Sequence, residues 1–233
     1  MKSFILTFFF TVASTLLSQA QDCLGIALKQ GSGFEMLHYN ARDKQIGKIT
    51  YQVTSVGKEG GSTVVNIQAQ MEDDKGKQQP PYTIKYTCNG NELIADMSGL
   101  FQSMQQSGMK NSEMKLKANQ LVYPGKMIPG QKLADGTMEV DMTTNGSMMM
   151  TMTMTMTNRL VDSKAAITTP AGTFDTVKVT SDMNTESRIM GMPIRSTMKT
   201  VSYRASNQIL DIKSETYNKS GKLMGYSVLS KAL

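Results

Sequence analysis

Hydrophobic and polar residues alternate along most of this chain. Ile49, Tyr51 and Val53 interleave with Thr50, Gln52 and Thr54; Val65, Ile67, Ala69 and Met71 interleave with polar neighbours; Tyr82, Ile84 and Tyr86 repeat the pattern. A period of two, rich in β-branched and aromatic residues, predicts half-buried strands. The stretches between them, 41–44, 57–61 and 72–77, are turn chemistry: Gly supplies positive φ and Asp or Asn supplies local side-chain hydrogen bonds. No crossover helix intervenes, so these strands pair antiparallel as a meander.

Beyond residue 90 the pattern changes twice. Leu100, Phe101, Met104 and Met109 are spaced nearer a helical period, and Ser98 is a candidate N-cap, so a short helical insertion is expected over 97–109. Alternation then returns from Glu113 to Tyr123, and Pro124-Gly125 and Pro129-Gly130 punctuate a loop. Asn145-Gly146, the favoured pair for a tight hairpin, joins 137–144 to a strand beginning near Ser147. Further strands are expected over 173–188, 194–205, 209–218 and 222–230. The expected fold is all-β: one domain over 21–233 with about ten or more strands in a large curved antiparallel sheet, a half-barrel or a sandwich. A faint internal echo accompanies it, since Tyr39-Asn40, Lys44 and Gly47 recur at the same spacing as Tyr217-Asn218, Lys222 and Gly225.

The run from Met148 to Thr157 stands apart. In a strand, Met150, Met152, Met154 and Met156 share one face and the intervening threonines the other. Three uses fit such a stripe. Methionines fill the core of a curved sheet; they line a surface for an apolar ligand or a partner; or their soft thioethers bind Cu(I). No Cys or His lies nearby and Met149 belongs to the opposite face, which weighs against copper.

The N-terminus reads as an export signal. Lys2 precedes an apolar run from Phe4 to Leu17, and Ser18-Gln19-Ala20 places small residues where a signal peptidase reads, so residues 1–20 are expected to form a signal helix cleaved after Ala20. The run is short of the roughly 20 apolar residues that span a bilayer, so no integral membrane protein is expected after cleavage. Asp22 before Cys23 does not match a lipidation motif. The chain has two cysteines, and an even count in an exported protein points to one Cys23–Cys88 disulfide.

A net charge of +6, with lysines scattered over strand faces, no Trp and few aromatics, gives no nucleic-acid signature. His38 is the only histidine, and there is no nucleophile elbow, phosphate loop or His-Glu metal motif. His38 reads as a half-exposed sheet residue, and Asp73-Asp74 as a solvated, Lys-flanked turn. No catalytic residue, metal or cofactor is implied. Asp175-Thr176-Val177 resembles a short acceptor for O-linked glycans, but so short a pattern recurs by chance and an ordinary strand is the preferred reading.

Thr157-Asn158-Arg159, Thr169-Pro170-Ala171-Gly172-Thr173-Phe174, Val177-Lys178-Val179 and the closing run from Lys213 to Leu229 together carry a family resemblance. The chain resembles the TapB-like family of exported bacterial proteins, related to a widespread envelope domain of unknown function. The resemblance implies a Bacteroidetes-type envelope protein with a curved antiparallel sheet, and implies no enzymatic activity. Val201-Ser202-Tyr203 stands where the family often carries a Trp-containing aromatic pair. The function expected is therefore a non-catalytic periplasmic or surface binding or scaffold protein whose partner is a lipid or another envelope protein. Cu(I) handling and hydrolysis are the alternatives.

Overall fold

In the computed structural model, residues 21–99, 112–145, 147–189 and 192–232 are described. The signal segment and most of the expected helical insertion lie outside the described residues. The alternating pattern resolves into strands β1 (Gln21–Cys23), β2 (Ile26–Leu28), β3 (Gly33–Asn40), β4 (Gln45–Glu59), β5 (Ser62–Asp73), β6 (Tyr82–Asn89), β7 (Glu92–Asp96) and β8 (Ser112–Gln120). They are followed by β9 (Val122–Pro124), β10 (Gly136–Thr144), β11 (Ser147–Thr169), β12 (Gly172–Ile189), β13 (Met192–Arg204), β14 (Lys213–Asn218) and β15 (Leu223–Ala232).

β1 and β2 form a small hairpin, and the other strands make one 13-stranded antiparallel sheet in the order β8-β10-β11-β12-β13-β14-β15-β3-β4-β5-β6-β7-β9. Its two edges, β8 and β9, are separated in sequence only by Leu121, whose carbonyl accepts the Ala95 amide at 3.3 Å. The sheet therefore curls until its edges approach, without closing. The alternation over Glu113–Tyr123, expected to be one strand, is divided between those opposite edges.

The main core lies under β3–β7. Val65, Ile67 and Ala69 of β5 are fully buried, as is Ile212, and Ile84, Leu93, Ile209 and Leu229 pack with them. Each Val, Leu or Ile side chain among them contributes about 1.5–3 kcal/mol through burial. Cys23 and Cys88 form the expected disulfide, Cα–Cα 5.5 Å, fastening the β1–β2 hairpin to β6.

The internal echo has a physical cause. Asn40 Oδ1 accepts the amides of Arg42 and Lys44 at 2.8 and 3.2 Å, and Asn218 Oδ1 accepts those of Ser220 and Lys222 at 3.0 and 2.9 Å. Asp73 builds a third copy with Lys75 and Lys77, both at 2.9 Å. Gly47 and Gly225 recur because a Cβ at either would lie 2.6 Å from a neighbouring strand's carbonyl oxygen.

Candidate functional site

Pairing register assembles the methionines into a surface wider than one strand. Directly paired residues in an antiparallel ladder share a face. One row runs Met114–Met142–Met150–Ile189–Met192 across β8, β10, β11, β12 and β13. The next rows run Leu116–Val140–Met152–Ser187–Ile194 and Met138–Met154–Thr185–Ser196, and Met156–Met183–Met198 follows. Met150, Met152, Met154 and Met156 are all half-buried, and none belongs to a buried cluster. Among the described residues no second layer covers this face. At its outer end Ile189, Met192 and Ile194 are exposed, around the β12–β13 hairpin end.

The reverse side of the same strands is polar and internally paired. Glu186 bridges Arg188 and Arg195 at 2.7 and 2.8 Å, and Lys117 bridges Glu139 and Asp141 at 3.2 and 2.6 Å. These partners hold the Glu186 and Asp141 carboxyls below their usual range, through Arg195 and Arg188 for the first and Lys117 for the second. Thr197 donates to Asn184 at 2.9 Å and Thr151 to Asp141 at 3.1 Å. This sheet region is thus amphipathic, with solvent suited to one face only.

At the inner end of the methionine face the alternation breaks. Asn158, at φ 52°, is the extra residue of a bulge opposite Ser181, where the register shifts between Thr157 and Leu160. The bulge turns Arg159 inward, leaving it 2% exposed. Arg159 donates to the carbonyls of Val122 (3.0 Å) and Ala134, and its guanidinium lies 4.7 Å from the Tyr123 ring centroid. Arg204, at the end of β13, lies 3.9 Å from the same ring, forms an ion pair with Asp211 and donates to Ile209 O at 3.3 Å. Arg159 Nη2 is buried with no hydrogen-bond partner among the described residues. A short core of Leu133, Val161 and Val179 adjoins this cluster. Burial also pushes the nearby Tyr86 hydroxyl far above its usual range, more than Arg204 lowers it.

The DUF3108-like family profile matches residues 29–229, nearly the whole described sheet. The chain belongs to the DUF3108-like family. Among solved structures it is similar to a candidate exported protein of Bacteroides fragilis with a YmcC-like fold, at 21% identity and TM-score 0.66, covering 88% of this chain and 96% of that one. It is also similar to a candidate lipoprotein of Parabacteroides distasonis, at 20% identity and TM-score 0.69, covering 91% and 100%. At such identities the likeness establishes the fold alone. No curated protein matches the chain.

The other residues singled out in this DUF3108-like sequence lie apart from the methionine face. His38 is half-buried on β3 between Gly47 and Ser227; its Nε2 has no hydrogen-bond partner among the described residues, and burial lowers its pKa. Asp73 caps its own turn and Asp74 pairs with Lys44 at 2.8 Å. Thr176 is 4% exposed and donates to Ala165 O at 2.7 Å, so the hydroxyl of the glycan-like triplet is occupied inside the sheet. Among the described residues no three His, Cys, Asp or Glu side chains cluster as metal ligands. Sequence reasoning passed over the Arg159–Tyr123–Arg204 cluster. Its one local signal was the loss of alternation at Asn158-Arg159, immediately after four Met-Thr repeats.

Proposed function

We propose that this protein is a non-catalytic, exported envelope protein that holds an apolar ligand on the methionine face of β8 and β10–β13. The observation that carries this reading is the contrast between the two sides of those strands: one carries ion pairs and hydrogen bonds between its side chains, the other is a methionine-rich surface without a described second layer. Apolar patches of that breadth mark binding sites, and flexible, polarizable methionines adapt to ligands of irregular shape. Export is supported by the N-terminal Lys2 and apolar run and by a disulfide suited to an oxidising compartment. The descriptions of the Bacteroides and Parabacteroides relatives, and the resemblance to the TapB-like family, point the same way.

The test is uptake of a diacylglycerol carrying a fluorescent acyl chain. Wild-type protein binds it, and Met152→Asp with Met154→Asp weakens binding at least tenfold. Thr153→Gln with Thr155→Gln, on the reverse face, leaves it unchanged. Absence of wild-type binding, or equal loss from both faces, overturns the reading.

A second reading follows from the register. Met138 lies directly opposite Met154, and Met142 opposite Met150, so thioethers from adjacent strands start about 5 Å apart at Cβ. Such pairs suit Cu(I). Cu(I) titration decides it: binding that Met150→Leu with Met154→Leu abolishes supports the metal reading, and no binding ends it.

A further inference from the structure

A cavity of about 490 Å³ opens beside the arginine cluster, away from the methionine rows, between the segment after β9 and the ends of β11, β12 and β13. Its wall carries Lys126, Lys164 and Arg204 against one carboxylate, Asp175, and an apolar side formed by Met127 and Val177. Lys126, Lys164 and Asp175 are exposed, and neither lysine has an ion-pair partner among the described residues. Arg204 is only 8% exposed and held in place by Asp211 and Ile209. Its guanidinium has five N–H donors, and the bonds to Asp211 and Ile209 leave others free.

Behind the cavity, the Tyr123 ring that Arg204 covers also carries Arg159, whose Nη2 is unpartnered. Four cations therefore stand here against two carboxylates, Asp175 and Asp211. Uncompensated positive charge beside a low-dielectric wall attracts an anion more strongly than the same charge in open water. The cavity is also far larger than one free anion requires and falls in the range used for small-molecule sites.

We infer that this cavity binds an organic phosphate: Lys126, Lys164 and Arg204 take the phosphate group and Met127 and Val177 take the adjoining apolar portion. A phosphate suits the arrangement better than a carboxylate, because it presents oxygens in several directions to two mobile ammonium groups and one fixed guanidinium. The phosphate could be that of a lipid headgroup or free phosphate, and cavity size favours the first. The site is separate from the methionine face and does not depend on what that face binds.

The test is calorimetric titration of the full chain with three probes: lysophosphatidic acid below its micellar concentration, the matching uncharged monoacylglycerol, and inorganic phosphate. Lysophosphatidic acid is expected to bind at least tenfold tighter than either of the others. Lys126→Gln with Lys164→Gln, two exposed positions whose loss leaves the core intact, should weaken it at least tenfold. Lys48→Gln should change nothing. Affinities for lysophosphatidic acid and monoacylglycerol within threefold, no binding at all, or an unaltered Lys126→Gln/Lys164→Gln variant each overturn the inference. Inorganic phosphate binding as tightly as the lipid overturns the organic part of it. Because the apolar-ligand assay uses an uncharged probe and variants of Met152 and Met154, the two can fail independently.

Discussion

Strands β4–β6 and strands β10–β12 are written in the same alternating code yet end in different surroundings. In the first group the inward positions are Val53, Val65, Ile67, Ile84 and Tyr86, and all are buried against β1, β2 and the segment carrying Ile209 and Ile212. In the second, Met150, Met152, Met154 and Met156 remain half-exposed on a sheet without a described opposing layer. Alternation says which residues share a face; it does not say whether anything packs on that face. Residue choice follows the difference, since stiff β-branched and aromatic side chains fit a fixed partner while methionine suits one that comes and goes.

The largest effect should come from the fastening of the packed region. Replacing Cys23 and Cys88 together by Ser releases a constraint spanning 65 residues, and the chain-entropy relation gives a loss of about 4 kcal/mol. The urea midpoint should fall accordingly, and a midpoint unchanged from wild type would mean that the hairpin contributes no constraint to the unfolded chain. Next comes Ile67→Ala, which removes a fully buried side chain from the centre of β5 and is expected to cost about 2–5 kcal/mol.

Met154→Ala is the matching substitution on the other region. Its side chain is already partly in water, so the loss should stay below about 1 kcal/mol. If Met154→Ala costs as much as Ile67→Ala, the methionine face is packed as tightly as the core and the comparison collapses. Urea unfolding of both variants side by side makes that measurement.

These contrasts show how far the sequence can be read. The strands of the meander, the Asn145 turn, the Cys23–Cys88 pairing and the shared face of Met150 to Met156 follow from spacing of two and from local turn chemistry. The echo between Asn40 and Asn218 was legible because the Asx side chain builds its turn from its own neighbours. What spacing cannot supply is partnership across long sequence distance. Asn40 pairs with Gly225, and Glu113 and Tyr123 lie at opposite edges of the sheet although one alternating run contains both. The strand expected over 209–218 begins only at Lys213, because Ile209 and Ile212 turn into the core, where Ile212 bonds through its amide to Tyr203 at 2.8 Å. The arginine cluster was hidden for the same reason: Tyr123, Arg159, Arg204 and Asp211 come from four separate segments, and only a bulge places Arg159 inside.

The smallest effect separates the regions by pH. His38 lies in the packed region, its cross-strand partners Gly47 and Ser227 are uncharged, and burial alone lowers its pKa from the ordinary 6.5. Between that lowered value and 6.5 the unfolded chain binds more protons than the folded one, so stability rises with pH across the window. The contribution is complete above about 6.5 and is lost as pH falls through the folded value. The carboxyls with lowered pKa values on the reverse of the methionine face, Asp141 and Glu186, titrate below their ordinary 3.8 and 4.5, outside this window. Wild-type urea midpoints should therefore drop between pH 7.5 and 5.5, and His38→Gln should remove most of that drop. The Met152→Asp/Met154→Asp variant, altered only on the methionine face, should keep the wild-type slope. An equal drop in wild type and His38→Gln would assign the pH dependence to another group and leave the two regions indistinguishable by titration.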